Sequence, residues 1–388
     1  MRLSSEPQNL NSGRFCRTRK IAKAIGANIL ALALLLVMFE GFAGYAFLLR
    51  NFSIDRAAPA KQQYTTYDAE LGWVNKPNLY MADVYGPGIY VRTNARGFRQ
   101  NEEVTNSVSR GKVRIICSGD SFTYGYGVDN AHTWCALLSV LDGRLEPVNM
   151  GTDGYGVDQA YLRFKRAAAE MSFQIHVFAF ITDDFYRALN DSFLGYSKPL
   201  LKLQDGRLLV TNVPVPKRAY DLGWKQPLLT NLENLRSTWV LTKAMHKLGI
   251  ERQQSRVYVS QAQRDANARL LLHRIFSDLK QMNDERSSRL VFTYLPTIWE
   301  LHGSSAPGQQ WSAPKQWAAF LNEEAASLRV PVINLFSRFE SLPRNELTEM
   351  FIPPEKIHYP EGAFHLTEKG NGLIAREIYD QLTRDHVI

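Results

Sequence analysis

The 388-residue sequence predicts an α/β domain, a three-layer sandwich with helices on both faces of a central parallel sheet. Two observations carry that reading. Short continuous apolar runs of strand length alternate with stretches of helical periodicity from residue 113 to 182, and strands resume between 289 and 335. The first run leads straight into Gly119-Asp120-Ser121, a tight turn that sets a small hydroxyl at the carboxyl end of a buried strand, where α/β sheets open their crevice. A serine hydroxyl is a weak nucleophile until a base takes its proton. His365, near the start of the last predicted helix, is the partner to look for.

Along the chain, residues 1–26 form a basic tail expected on the cytoplasmic side. Residues 27–49 are apolar except for Asn28, Glu40 and small residues, about the length that spans a bilayer. The run is longer than the roughly 7–15 apolar residues of a cleaved leader, so it is read as one uncleaved transmembrane signal anchor. Lys and Arg lie mainly before it, which puts the amino terminus inside and everything beyond residue 50 outside the cytoplasmic membrane. Residues 50–110 are a polar, turn-rich connector packing on the domain, as an edge cover or a short antiparallel ribbon. It carries Glu70-Leu71-Gly72-Trp73 and Asn94-Ala95-Arg96-Gly97-Phe98-Arg99.

The domain proper spans 111–388. Strands are expected at 113–118, 146–150 and 175–182, with helices at 133–141 and 159–171 between them. Such alternation gives parallel strands joined by right-handed crossovers. From about 185 to 285 the alternation is interrupted by an insertion. It holds a hairpin at 200–203 and 208–211 around Asp205-Gly206, and helices at 228–248 and 261–282. Strands return at 289–295 and 330–335, flanking a helix at 315–328. A last helix, 368–382, takes Thr367 as its N-cap.

Composition narrows the function classes. With 45% hydrophobic and 22% charged residues the chain is an ordinary globular protein. Of the net charge of +8, the first fifty residues carry seven positives and two negatives, 7 − 2 = +5, leaving +3 for the rest. There is no Gly-rich phosphate loop and no basic patch beyond the amino terminus, so no nucleic-acid partner is expected. His132, His176, His246, His273, His302 and His386 lack metal-ligand spacing and are read as surface or satisfied core residues; no metal and no cofactor is expected. Cys117 and Cys135 are read as two small buried apolar residues, an oxidising compartment permitting a disulfide between them. Trp73, Tyr124, Tyr126, Tyr155, Trp299 and Trp311 either border the crevice or pack in the core.

Four short blocks together resemble the SGNH (GDSL-type) hydrolase family, especially its membrane-anchored bacterial members. Gly119-Asp120-Ser121 matches the first block, Asn149-Met150-Gly151-Thr152-Asp153-Gly154 the second and Phe364-His365-Leu366 the fourth. The resemblance implies a flavodoxin-like strand order, Ser121 as nucleophile and His365 as base. It also implies an oxyanion hole from the backbone N–H groups of Ser121 and Gly154. The third block departs from the family: Ile181-Thr182-Asp183-Asp184 has Asp183 where an Asn side chain donates to the oxyanion. Asp183 must then be protonated or turn away. The acid expected three residues before the histidine is Gly362, so Glu361, one residue off, is taken as the provisional orienting acid, with a backbone carbonyl as the alternative. The resemblance implies an esterase acting on acyl, chiefly acetyl, esters of an extracytoplasmic glycan, or an O-acyltransferase. The competing reading is a weak or inactive scaffold serving a membrane-bound polysaccharide machinery.

Overall fold

A computed structural model describes residues 11–41, 60–217, 260–303, 314–356 and 363–388. In the unit formed by Met1–Ala57 with Leu222–Arg256, the described chain is one helix, α1 (Asn11–Glu40), which gives way to Gly41 at φ +79°. The transmembrane segment expected over 27–49 is not supported: among the described residues no helix is long and apolar enough to cross a membrane. The first half of α1 carries Arg14, Arg17, Arg19, Lys20 and Lys23, so its apolar part begins near residue 27. From there to Glu40 a helix spans about 21 Å, against about 30 Å of hydrocarbon. Residues 42–49 lie outside the described residues, as does the expected helix at 228–248.

The second unit, Ala58–Asp221 with Val257–Ile388, holds the sandwich. Its connector opens with α2 (Ala60–Tyr64). An antiparallel ribbon of β1 (Thr65–Asp68) and β2 (Gly72–Asn75) follows, and then the short pair β3 (Tyr80–Met81) and β4 (Val91–Arg92). The central sheet is built from β5 (Val113–Ser118), β6 (Leu145–Asn149) and β7 (Ile175–Phe180). Separating them are α3 (Ser121–Tyr124), α4 (Trp134–Leu141) and α5 (Val157–Ala168). After β7 come α6 (Thr182–Arg187), a two-residue pair β8 (Ser192–Phe193) and β9 (Tyr196–Ser197), and the predicted hairpin, β10 (Leu200–Gln204) with β11 (Arg207–Thr211). Helix α7 (Gln261–Asp284) is the crossover to β12 (Arg289–Tyr294). Then α8 (Ile298–Leu301) and α9 (Pro314–Leu328) precede β13 (Val332–Asn334), and α10 (Glu368–Arg384) closes the fold.

The five strands run parallel in the order β6-β5-β7-β12-β13. Renumbered along the sheet this is 2-1-3-4-5, the flavodoxin-like order, with its switch point between β5 and β7. The strands read as unbroken apolar runs because both faces are buried. Ile115, Cys117, Val177 and Ala179 point into one core layer with α4 and α10, while Ile116, Phe178, Phe180 and Phe292 point into the other with α5, α7 and α9. This period of two distributes residues between the layers. Cys117 and Cys135 face each other in the first layer and form a disulfide, with Cα atoms 6.2 Å apart, inside the range a bridge needs. The reading of two separate buried thiols is thereby corrected. Strand and helix are consecutive here, yet the pleat turns Cys117 toward the very helix that carries Cys135.

Candidate active site

The position of Ser121 follows from local geometry at the end of β5. Gly119 has no room for a side chain, since a Cβ there would stand 2.7 Å from the backbone oxygen of Ala179 on β7. Asp120 then caps α3, its Oδ1 accepting from the N–H of Phe122 at 2.9 Å. Ser121 is therefore the first residue of a helix, where backbone N–H groups have no intrahelical acceptor. Asn149 at the end of β6 braces this turn. Its side-chain amide donates to the carbonyl of Thr123 at 2.8 Å, and its Oδ1 accepts from Gly151 N–H at 2.9 Å.

His365 reaches this hydroxyl from 244 residues away: Nε2 lies 2.8 Å from Ser121 Oγ. Its other nitrogen, Nδ1, faces the backbone carbonyl of Ala363 at 3.3 Å. A carbonyl only accepts, so the contact places the proton on Nδ1 and leaves the Nε2 lone pair toward the serine. The loop carrying the histidine is tied to its neighbour by two backbone bonds, Ile352 N–H to His365 O at 2.8 Å and Phe364 N–H to Ile352 O at 2.7 Å. The rings of Phe122 and Tyr126 pack on the imidazole, with centroids 4.7 and 5.1 Å away. Thr367 caps α10 as expected, accepting from Gly370 N–H. Glu361 and Gly362 lie outside the described residues, and so does Trp311.

A second serine–histidine pair is present, but it is sealed in the core. His176 Nε2 lies 2.9 Å from Ser118 Oγ, with the ring stacked on Phe164 at 3.6 Å. Both residues are at most 2% exposed, and burial holds the His176 imidazole well below its usual range. It is a satisfied core histidine.

The third block is organised by a residue that the sequence reading passed over. Arg187 Nη2 donates to Asp183 Oδ2 at 2.5 Å, while Nη1 meets Asp184 Oδ1 at 2.9 Å, Asp120 Oδ2 at 3.4 Å and the carbonyl of Tyr155 at 3.2 Å. Asp183 thus has a carboxylate oxygen committed to a cation. The spacings of three and four residues from Asp184 and Asp183 are those of helical ion pairs and were the available signal. Burial raises Asp120 to about 6 despite the Arg187 charge, with Asp153 and Asp183 adding to the rise. Burial, then the Asp120 charge, pushes Asp184 well above the carboxylate range. Burial alone would lower Arg187, but Asp183, Asp184 and Asp120 together raise it.

The connector supplies the remaining supports. Buried Arg99 donates to the carbonyls of Tyr124, Gly125 and Val128. Trp73, Tyr124, Tyr126 and Tyr155 are core residues rather than a crevice rim, whereas Trp299 is half-buried with its ring 4.8 Å from that of Phe364.

No family model and no curated protein sequence matches this chain. Among solved structures it is similar to a lipolytic protein of the G-D-S-L family from Veillonella parvula, at 14% identity and a TM-score of 0.37, covering 70% of this chain and 99% of that one. It is also similar to a lipase/acylhydrolase from Enterococcus faecalis (14% identity, TM-score 0.38, 70% and 96% covered). An acetyl xylan esterase matches at 11% identity, TM-score 0.39, with 70% and 100% covered. In its own strand order, with its first and second blocks at the carboxyl ends of β5 and β6 and its fourth in the loop before α10, this chain is similar to the SGNH (GDSL-type) hydrolases.

Proposed function

We propose that the protein is a serine ester hydrolase working through an acyl-enzyme on Ser121. One observation carries the reading: Ser121 Oγ lies 2.8 Å from a histidine nitrogen whose partner nitrogen is backed by a carbonyl. In this reading Ser121 attacks the acyl carbonyl as His365 Nε2 takes its proton. The tetrahedral oxyanion rests on the N–H groups of Ser121 and Gly154, and His365 returns the proton to the leaving alcohol. Water then repeats the sequence to release the acid. A sugar hydroxyl in place of water makes the same site an O-acyltransferase.

The substrate class proposed is a short acyl ester, chiefly acetyl, on a glycan outside the cytoplasm, handled alone or beside a polysaccharide-assembling machinery. Ser121 is only 5% exposed, which suits a small acyl group, and the half-buried ring of Phe364, next in sequence to His365, together with the Trp299 ring packed on it offers a sugar an aromatic face. The disulfide supports an oxidising, extracytoplasmic location. The competing reading, a weakened scaffold, draws on Asp183, whose carboxylate stands where the family places a donor.

The test is labelling of the full chain by a fluorophosphonate, with turnover of p-nitrophenyl acetate and acetylated sugars, in wild type, Ser121→Ala and His365→Ala. Either substitution should lower turnover by at least about 10³-fold, and Ser121→Ala should abolish labelling. Wild-type labelling and turnover that persist in Ser121→Ala would remove the proposal.

A further inference from the structure

In the Glu70-Leu71-Gly72-Trp73 stretch of the connector, Trp73 lies 80 residues before Asp153 of the second block, yet ends on it. Its indole Nε1–H donates to the backbone carbonyl of Asp153 at 2.8 Å. That carbonyl belongs to the same peptide group as the N–H of Gly154. We propose that Trp73 is a positioning residue that aims and strengthens the oxyanion donor at Gly154; this rests on the reading of Gly154 as that donor.

The argument is one of peptide geometry. Among the described residues the cis peptide is Val213–Pro214, so the Asp153–Gly154 unit is trans and planar, with its C=O and N–H pointing in opposite directions. Fixing the oxygen therefore fixes the N–H. Gly154 sits at φ +67°, a region open to glycine, so its own backbone preference does little to hold that plane. A hydrogen bond received at the carbonyl also polarises the amide and makes its N–H a better donor. An indole has a single N–H, and Trp73, fully buried, directs it at this peptide.

The ribbon around Trp73 is built to hold that contact. Tyr155 OH donates to the Trp73 carbonyl at 2.5 Å, and the two rings meet edge-on with centroids 5.7 Å apart. Asn75 donates to the Gly151 carbonyl at 3.0 Å, and Tyr64 OH to the Asp153 carboxylate at 2.8 Å. Gly72 lets the ribbon press close, since a Cβ there would stand 2.5 Å from the Ser197 carbonyl oxygen.

The test compares full-length wild type with Trp73→Phe and with 3-benzothienylalanine at position 73, which keeps the indole shape without its N–H. Hydrolysis of p-nitrophenyl acetate and inhibition by an aryl trifluoromethyl ketone, whose serine adduct bears an oxyanion, are both followed. The expected result is a fall in kcat and in affinity for the ketone of about 10- to 100-fold, below the roughly 10²–10³-fold for deleting a donor, with KM little changed; the melting temperature falls in both variants, and more in Trp73→Phe, whose smaller ring leaves a cavity. Unchanged kcat in the benzothienyl protein overturns the inference, as does a fall matched by an equal rise in KM. If Ser121→Ala retains full turnover, the proposed function itself fails, and that outcome is read separately from the Trp73 result.

Discussion

Replacing Asp120 by Asn should make the protein more stable, and only above about pH 4. The carboxylate is fully buried beside Arg187 and Ser121, and burial lifts it from 3.8 to about 6. A rise of that size means the ionised form costs the native state on the order of 3 kcal/mol relative to the protonated form. Asn imitates the neutral acid in shape and serves equally well as an N-cap, so the Phe122 N–H keeps its acceptor. The sign follows from linkage. Below pH 3.8 native and unfolded chains both carry a protonated Asp120, and the two proteins match. Between 3.8 and 6 the unfolded chain loses its proton while the native chain holds it, so wild type loses stability relative to the variant as pH rises. Above 6 the gap is complete at about 3 kcal/mol. Removing this charge also eases Asp184, which works in the same direction. Urea midpoints measured at fixed pH values from 4 to 8.5 should show curves that converge at the acid end and separate toward pH 8. Parallel curves, or a variant less stable than wild type at pH 8, would refute the electrostatic account of this cluster.

Two further outcomes follow from packing and covalent structure. Reduction of Cys117–Cys135, or Cys117→Ser with Cys135→Ser, opens a loop of 18-residue separation and should cost about 3 kcal/mol, read as a lower melting temperature that dithiothreitol reproduces in wild type only. Gly370→Ala puts a Cβ 2.4 Å from the Met350 carbonyl oxygen, so α10 must move; a stability loss of about 1–3 kcal/mol and a lower kcat through displaced His365 are expected, by calorimetry and ester turnover.

The sheet was legible because its strands are buried on both faces, so that 113–118, 175–180 and 289–294 appear as unbroken apolar runs. The long helices were legible for a similar reason: α7 and α10 show one apolar face each, and Thr367 marks the start of α10. Elements too short to show a period were not. Helix α3 has four residues, and the pairs β3–β4 and β8–β9 have two residues per strand. The site was half legible. Gly119-Asp120-Ser121 and His365 stand in local contexts that reveal them, and Asp120 caps its own turn as its residue type suggests. What supports them is long-range and leaves no local trace: Trp73 on Asp153, Arg99 on Tyr124 and the bridge of Cys117 to Cys135 join segments that only the fold brings together. Arg187 is the exception, since its spacing from Asp183 and Asp184 was visible and went unused.

The departure at the third block and the role of the connector are linked. Where the family pattern supplies a third oxyanion donor, this chain places a carboxylate and binds it to Arg187. The same Arg187 holds the carbonyl of Tyr155, next to Gly154, so the substitution at 183 comes with a cation that stiffens the loop of the second block. Stiffening from one side by Arg187 and from the other by Trp73 and Tyr64 leaves that loop little freedom. On the proposed reading, stabilisation of the oxyanion then falls on two backbone N–H groups, and their alignment matters more than where three donors share it. Loss of the Trp73 N–H should accordingly cost this protein more turnover than the same loss would cost a relative that retains Asn at the position of Asp183.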